Sequence, residues 1–180
     1  MVKYAAFLRG VNVGGHNRIK MDSLSKVCAA IGCSDIKTYI QSGNVSFEFK
    51  KTDEEEIARK LKKELSTKLK IDVAVFIRSI EHLRMVMAHN PFETRKKSDE
   101  EHHYLTFISK LKEMKKVAPL TSPKGDVEVV QLSSSEAWSI SRKVGGQVGY
   151  PNVFIESTLG LIATTRNPDT IKNILDVNKT

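Results

Sequence analysis

The chain has 180 residues, of which 40% are hydrophobic and 28% charged, a composition typical of a soluble globular protein with one domain or two small ones. No apolar run approaches the roughly 18 residues of a membrane span, and too few apolar residues precede Arg9 for a secretory signal. We therefore expect a cytoplasmic protein with no membrane partner. The net charge is +8, which favours an anionic ligand or nucleic acid as partner. The sequence does not indicate an oligomeric state.

A short apolar strand over residues 2–8 runs into a glycine-rich segment bounded by Arg9 and Arg18. Glycine permits positive φ and close backbone approach, so such a turn can direct several N–H groups into one concavity. The two flanking arginines would add charge-assisted hydrogen bonds to an anion. The segment therefore predicts an anion site, while the alternative is a loop that only connects the first strand to the first helix.

This glycine-rich segment does not match the common phosphate-binding fingerprints. Gly10 and Gly15 have Walker A spacing, but His16 and Asn17 replace the Lys and the Ser or Thr that such a loop uses to hold phosphate and magnesium. His16 is the one histidine in the candidate pocket. It is a weak candidate for an acid–base group, with a simple loop hydrogen bond as the alternative.

Periodicity predicts alternating strands and helices along the rest of the chain. In the first half, a helix begins at Asp22 and ends at Gly32, strands 36–40 and 44–49 flank a turn at residues 41–44, and a helix at 53–69 and a strand at 71–77 follow. In the second half we expect a helix at 79–89, an exposed loop at 93–101, a strand at 103–108, a helix at 110–117, a hairpin of strands 126–132 and 137–142, a helix at 152–158, a strand at 160–165 and a helix at 168–176.

Two further motifs carry polar residues. The turn Gln41-Ser42-Gly43-Asn44 is ordinary hairpin chemistry. In the segment Thr164-Thr165-Arg166-Asn167, we expect Asn167 to cap the helix that Pro168 begins. Arg166 is not explained by capping and could bind an anion beside that helix, with a surface or interdomain ion pair as the alternative. In the strand at 44–49, the alternation of side chains assigns Val45, Phe47 and Phe49 to the core rather than to an RNA-stacking face.

The sequence predicts no cofactor and no metal. Cys28 and Cys33 have a C-x4-C spacing that fits neither a redox pair nor a zinc half-site. We interpret them as structural thiols, with a disulfide or a metal role as the alternatives.

The chain resembles the bacterial family called domain of unknown function 1697 at Leu8-Arg9-Gly10-Val11-Asn12-Val13-Gly14-Gly15, Met21, Thr38-Tyr39-Ile40-Gln41-Ser42-Gly43-Asn44 and Thr164-Thr165-Arg166-Asn167. The resemblance implies an α+β fold of two ferredoxin-like plaits with antiparallel sheets, and it implies no activity. The family tends to have an aromatic residue where this chain has Pro168.

The two plaits would occupy residues 1–78, with the glycine-rich loop, and residues 79–180, with flanking helices. From this connectivity we expect the loop after the first strand and the hairpin turn to lie at opposite ends of their strands. The two motifs would then mark domain packing rather than one pocket.

The sequence thus predicts an uncharacterised protein that binds a polyanionic ligand, either nucleic acid or a phosphate-bearing molecule. The alternative is a metal-independent enzyme on a small anionic metabolite, with His16 as the acid–base group. The predicted ligand-binding residues are Arg9, Gly10, Asn12, Gly14, Gly15, Asn17, Arg18, Gln41, Ser42, Asn44, Arg166 and Asn167.

Overall fold

The computed structural model describes residues 1–14, 17–95, 98–110 and 118–179. Within these ranges the chain is α+β, with five helices and two antiparallel sheets, which confirms the predicted class. The chain divides into two compact units, Met1–Val86 with Lys172–Thr180, and Met87–Ile171. The boundary predicted at residue 78 therefore falls inside the first unit, and the chain from Lys172 onward groups with that unit rather than with the second. No helix in the described ranges is both long and apolar enough to cross a bilayer.

The first unit alternates strands and helices around a four-stranded sheet. Its elements are β1 (Val2–Leu8), α1 (Met21–Ala30), β2 (Ser34–Tyr39), β3 (Asn44–Phe49), α2 (Glu54–Leu69), β4 (Val75–Ser79) and α3 (Ile80–Ala88). The strand order is β2-β3-β1-β4, and each neighbouring pair is antiparallel. The order of elements agrees with the pattern predicted from periodicity.

Helices α1 and α2 share one hydrophobic core with this sheet. The helical stripes are buried at Leu24, Val27 and Cys28 and at Ile57, Leu61 and Leu65. Val45, Phe47 and Phe49 of β3 belong to the same core, which confirms their predicted assignment. Asn44 and Ser46, on the other face of β3, are buried as well, so β3 presents no exposed stacking surface.

Strand β4 begins later than the predicted strand at 71–77. Residues 71–74 lie outside any strand. Pairing with β1 sets the limit, because Leu8, the last residue of β1, lies opposite Val75. The Arg9 N–H still donates to the Ala74 carbonyl at 2.9 Å, and there the pairing ends.

Helix α1 ends in a Schellman motif that brings the two cysteines together. The Gly32 N–H donates to the Ala29 carbonyl at 3.0 Å and the Cys33 N–H donates to the Cys28 carbonyl at 3.1 Å, and Gly32 is left-handed with φ of +96°. A Schellman motif commonly brings the side chains of these two positions, here Cys28 and Cys33, into contact. Both thiols are free and buried. A hydrogen bond with Cys33, together with burial, raises the pKa of the Cys28 thiol above its usual range.

The C-terminal residues that follow α5 (Pro168–Asp176) pack on the first unit. Asn178 is 1% exposed, and its Nδ2 donates to Ser46 Oγ at 2.9 Å and to the Ile174 carbonyl at 2.7 Å. The Asn178 carbonyl accepts from Arg84 Nη2 at 3.2 Å. A buried amide thus fixes the chain terminus against β3.

The second unit contains a sheet of order β10-β5-β8-β7-β6, with β9 paired to β8. Its elements are β5 (Glu101–Ile108), β6 (Leu120–Thr121), β7 (Val127–Leu132), β8 (Glu136–Val144), β9 (Gln147–Val148), α4 (Pro151–Leu159) and β10 (Ala163–Arg166). Ile155 of α4 packs with Ile108, Val129, Ala137 and Ala163. The predicted helix at 110–117 lies outside the described residues beyond position 110.

Of the elements predicted in the second half of the chain, the strands at 103–108, 126–132 and 137–142 and the helices at 152–158 and 168–176 are found within two residues of their predicted bounds. The strand predicted at 160–165 begins only at Ala163, because its partner β5 ends at Ile108, which lies opposite Ala163. The short strands β6 and β9 were not predicted, since two residues carry no periodicity.

Replacing Asn178 tests the anchoring of the C-terminus. Asn178→Ala removes two donors from a buried site and leaves Ser46 and the Ile174 carbonyl with one partner fewer, so the free energy of unfolding should fall by about 1 to 3 kcal/mol. Lys172→Ala, an exposed substitution on α5, is the control and should change it by less than about 0.5 kcal/mol. Equal unfolding midpoints in urea for Asn178→Ala and the control would contradict this anchoring.

Alkylation tests the state of the cysteines. Because the thiolate is the reactive form, a raised pKa and burial should make Cys28 in the folded protein react with iodoacetamide far more slowly at pH 8 than in guanidinium-unfolded protein. Mass spectrometry of the digested protein gives the rate. Native Cys28 that is alkylated as fast as unfolded Cys28 would contradict the thiol pairing.

Candidate functional site

The loop after β1 and the β2–β3 hairpin turn lie at the same edge of the sheet, so their predicted separation is wrong. Strands β1 and β3 are antiparallel with Phe7 opposite Asn44, which places the start of β3 beside the end of β1. The Leu8 N–H donates to the Gly43 carbonyl at 2.9 Å. The two motifs therefore form one structural cluster within the first unit.

Gly43 is required where the turn meets the loop. Its φ is +72°, and a Cβ at this position would overlap Val11 Cγ2 and lie 3.0 Å from Leu8 Cβ. Contact between turn and loop thus needs a residue that has no side chain and tolerates the left-handed region.

The Asn12 side chain fastens the loop to the hairpin. Its Nδ2 donates to the Gln41 carbonyl at 2.6 Å and to the Ile19 carbonyl at 2.9 Å. Its Oδ1 accepts from the Ile19 N–H at 2.8 Å. One amide therefore joins the start of the loop, the end of the loop and the turn, and it uses both donor hydrogens to do so.

The loop is also closed on itself. The Asn12 N–H donates to the Asn17 carbonyl at 3.2 Å, and Asn17 Nδ2 donates to the Gly10 carbonyl at 3.4 Å. Gly10, Asn12, Gly14 and Asn17 all have φ between +48° and +63°, the region that glycine and asparagine tolerate best. These four residues shape the loop.

A cleft of about 630 Å³ opens beside this cluster. The described residues that line it are Asn12, Arg18, Ile19, Lys20, Met21, Asp22 and Gln41. The volume lies in the range of small-molecule sites. Three of the predicted site residues therefore contribute to one concavity: Asn12, Arg18 and Gln41.

The cleft contains the N-terminus of α1. Lys20 occupies the N-cap position and its side chain makes no capping hydrogen bond, because an ammonium group has no acceptor. The first-turn N–H groups, which an Asp or Ser cap would satisfy, point along the helix axis with the positive end of its dipole. Arg18 and Lys20 add two cationic groups, against one carboxylate from Asp22.

Other predicted residues of the first unit lie outside the cleft lining. Arg9 is exposed at the end of β1 and is not among the described residues that line the cleft, so only Arg18 of the two flanking arginines contributes to it. Asn44 Nδ2 donates to Ser42 Oγ at 2.7 Å and to the Tyr39 carbonyl at 3.3 Å. Ser42 and Asn44 therefore close the turn, as hairpin chemistry predicts.

Arg166 and Asn167 belong to the second unit. The Asp169 N–H donates to Asn167 Oδ1 at 2.8 Å and Pro168 begins α5, which confirms the predicted cap. Arg166 Nη1 donates to Thr164 Oγ1 and to the Thr165 carbonyl, both at 2.8 Å. Burial lowers the pKa of Arg166 to about 10, so the guanidinium stays protonated at neutral pH.

Gly15 and His16 lie outside the described residues, and with them the candidate acid–base group. Among the residues that the structure does describe, no three His, Cys, Asp or Glu side chains cluster to hold a metal ion.

Sequence reasoning missed Lys20 and Asp22 as site residues. The sequence contains the pattern that identifies them, because Lys20 and Asp22 follow the loop and lie at the start of α1. A lysine in place of a capping side chain leaves the first turn open, and this feature can be detected in the sequence.

The fold resembles that of a solved structure along nearly the whole chain, although the sequence identity is low. That structure, described as a conserved bacterial protein from Streptococcus pneumoniae, is 18% identical, with a TM-score of 0.67 over 99% of both chains. No curated protein matches the sequence significantly. A family model described as a protein of unknown function, DUF1697, matches residues 1–138. The chain therefore belongs to this DUF1697 family.

Proposed function

We propose that this protein binds a phosphate-bearing ligand in the cleft beside the N-terminus of α1. The observation that carries the proposal is the convergence of Arg18, Lys20 and an uncapped helix N-terminus on one concavity of about 630 Å³. Helix N-termini and guanidinium groups both favour phosphate. The Asp22 carboxylate limits the net positive charge of the cleft, which suits a small anion better than a long polyanion.

A nucleic acid is the other source of phosphate. The aromatic residues of β3 lie in the core, so such a ligand would be held mainly through its backbone, with an affinity that falls steeply with salt, by about 0.9 log units per log unit of salt for each phosphate neutralised on a duplex. The alternative of an enzyme on an anionic metabolite depends on His16. His16 lies outside the described residues, so the proposal is confined to binding.

We further propose that each unit is a ferredoxin-like plait, which would make the two units two domains. The order β4-β1-β3-β2 with helices after β1 and β3 supports this for the first unit. In the second unit, the order β10-β5-β8-β7 and the position of α4 between β8 and β10 support it. Two free thiols agree with a reducing compartment, and we propose a cytoplasmic location.

Removal of the cleft arginine tests the ligand site. A charge-assisted hydrogen bond contributes about 1.5 to 3 kcal/mol, so Arg18→Ala should weaken the binding of inorganic pyrophosphate by roughly tenfold or more in calorimetric titration. Arg59→Ala, an exposed substitution on α2 with the same charge change, is the matched control. Arg9→Ala should resemble the control, because Arg9 is not among the residues around the cleft.

If pyrophosphate gives no saturable heat with the unmodified protein, there is no phosphate site. If Arg18→Ala and Arg59→Ala weaken binding equally, the effect is long-range electrostatics and the cleft is not the site. Binding of a single-stranded oligonucleotide without binding of pyrophosphate would identify nucleic acid as the ligand.

Substitution of Asn12 tests whether the hydrogen bonds to the loop and the turn maintain the cleft. Asn12→Gly keeps the left-handed backbone but loses three hydrogen bonds, so the free energy of unfolding should fall by about 1 to 3 kcal/mol, and pyrophosphate affinity should fall with it. Asn12→Ala should cost roughly 1 kcal/mol more, because alanine is strained at positive φ. Urea unfolding and calorimetry provide both readouts, and unchanged affinity in Asn12→Gly would contradict this role of Asn12.

A further inference from the structure

Four charged or polar side chains that line the cleft are not engaged by the protein itself. They belong to Arg18, Lys20, Asp22 and Gln41, and all four residues are exposed. Within the described parts of the chain, no hydrogen bond or ion pair involves any of these side chains. The Asn12 amide, by contrast, is occupied by the loop and the turn. These four side chains are therefore available to a ligand.

The charges along the cleft have a defined order. Where the loop runs into α1, Ile19 is buried and Met21 packs against the core, while the alternate residues Arg18, Lys20 and Asp22 are exposed. Their charges follow in the order positive, positive, negative. Two residues of chain span at most about 7 Å, so one small molecule can reach both Lys20 and Asp22. The lining therefore offers an anion site and a cation site side by side.

A bare phosphate does not match this lining. A carboxylate in the first turn of a helix is favoured by the helix dipole, which accounts for Asp22 in the empty protein. Once a phosphate occupies the same helix end, the two anions repel each other. A cationic group on the ligand, placed beside the phosphate, removes this conflict. The cleft volume of about 630 Å³ is also that of a site for a small organic molecule.

We propose that the cleft selects phosphate esters that carry a protonated amine about two carbons from the phosphate, and that Asp22 determines this specificity. The inference rests on the proposed phosphate site. The phosphate would meet Arg18, Lys20 and the first turn of α1. The ammonium would meet the Asp22 carboxylate, with the Gln41 side-chain carbonyl as a further acceptor. Because an ion pair exposed to solvent contributes modestly, the amine should improve affinity by about two- to fivefold.

The test compares 2-aminoethyl phosphate with ethyl phosphate, which share the phosphate and the two-carbon chain. In calorimetric titration at pH 7 with EDTA, where the amine is protonated, the amino ester should bind the unmodified protein about two- to fivefold more tightly. In Asp22→Asn it should bind no better than ethyl phosphate, because Arg18 and Lys20 then repel the ammonium without compensation. Ethyl phosphate itself should bind Asp22→Asn at least as tightly as the unmodified protein.

Asp169→Asn is the matched control. Asp22 and Asp169 are each the second residue of a helix, α1 and α5 respectively, so the two substitutions change the same charge at the same helical position. Asp169→Asn should retain the full advantage of the amino ester. Urea unfolding of both variants separates stability from selectivity. A lower midpoint in Asp22→Asn with unchanged selectivity would reduce Asp22 to a partner of the helix dipole.

The remaining outcomes separate the specificity from the phosphate site. An amino ester that has no advantage in the unmodified protein, or keeps it in Asp22→Asn, would overturn the specificity. If Mg²⁺ and not the amine strengthened binding through Asp22, the cation would be a metal ion and the amine would be overturned. Ethyl phosphate binding that is lost in Arg18→Ala would leave the phosphate site standing in these cases. Absence of binding by both esters and by pyrophosphate would overturn the site and its specificity together.

Discussion

The antiparallel pairing of β1 with β3 is the constraint on which the candidate site depends. This pairing places the end of β1 beside the start of β3, so the loop and the hairpin turn that leave those strands meet at one edge. Gly43 permits the contact because any side chain there would overlap Val11. Asn12 then converts proximity into a fixed arrangement through hydrogen bonds to Gln41 and Ile19. The cleft and the N-terminus of α1 follow from that arrangement.

Polar residues in this cluster serve two different purposes. Asn17 and Asn44 donate to backbone carbonyls within the loop and the turn, and Ser42 accepts from the Asn44 side chain, so their polarity is explained by the local structure. Arg18 and Lys20 are exposed and line the cleft without such an explanation. A motif rich in donors can therefore be largely architectural, and the phosphate site that we propose draws its charge from the few residues that follow it.

The sequence predicts the element order well, because apolar periodicity and Gly or Pro boundaries are local signals. The stop of α1 at Gly32 and the cap at Asn167 are examples. It fails where the answer depends on distant pairing. The late start of β4 is set by where β1 ends, and the return of the C-terminus depends on Asn178 reaching Ser46, 132 residues away. The expectation that the hairpin turn lies away from the loop fails because β3 pairs antiparallel with β1, so that β3 begins where β1 ends.

A backbone-resolved NMR titration with inorganic pyrophosphate decides whether the cleft beside α1 binds phosphate. The amide signals of residues 18–22 and of Gln41 should shift together and saturate along a single binding curve, because they surround one site. Signals of the exposed lysines on α2 should shift little. Shifts spread over those lysines without saturation, or no shift at residues 18–22, would contradict the site.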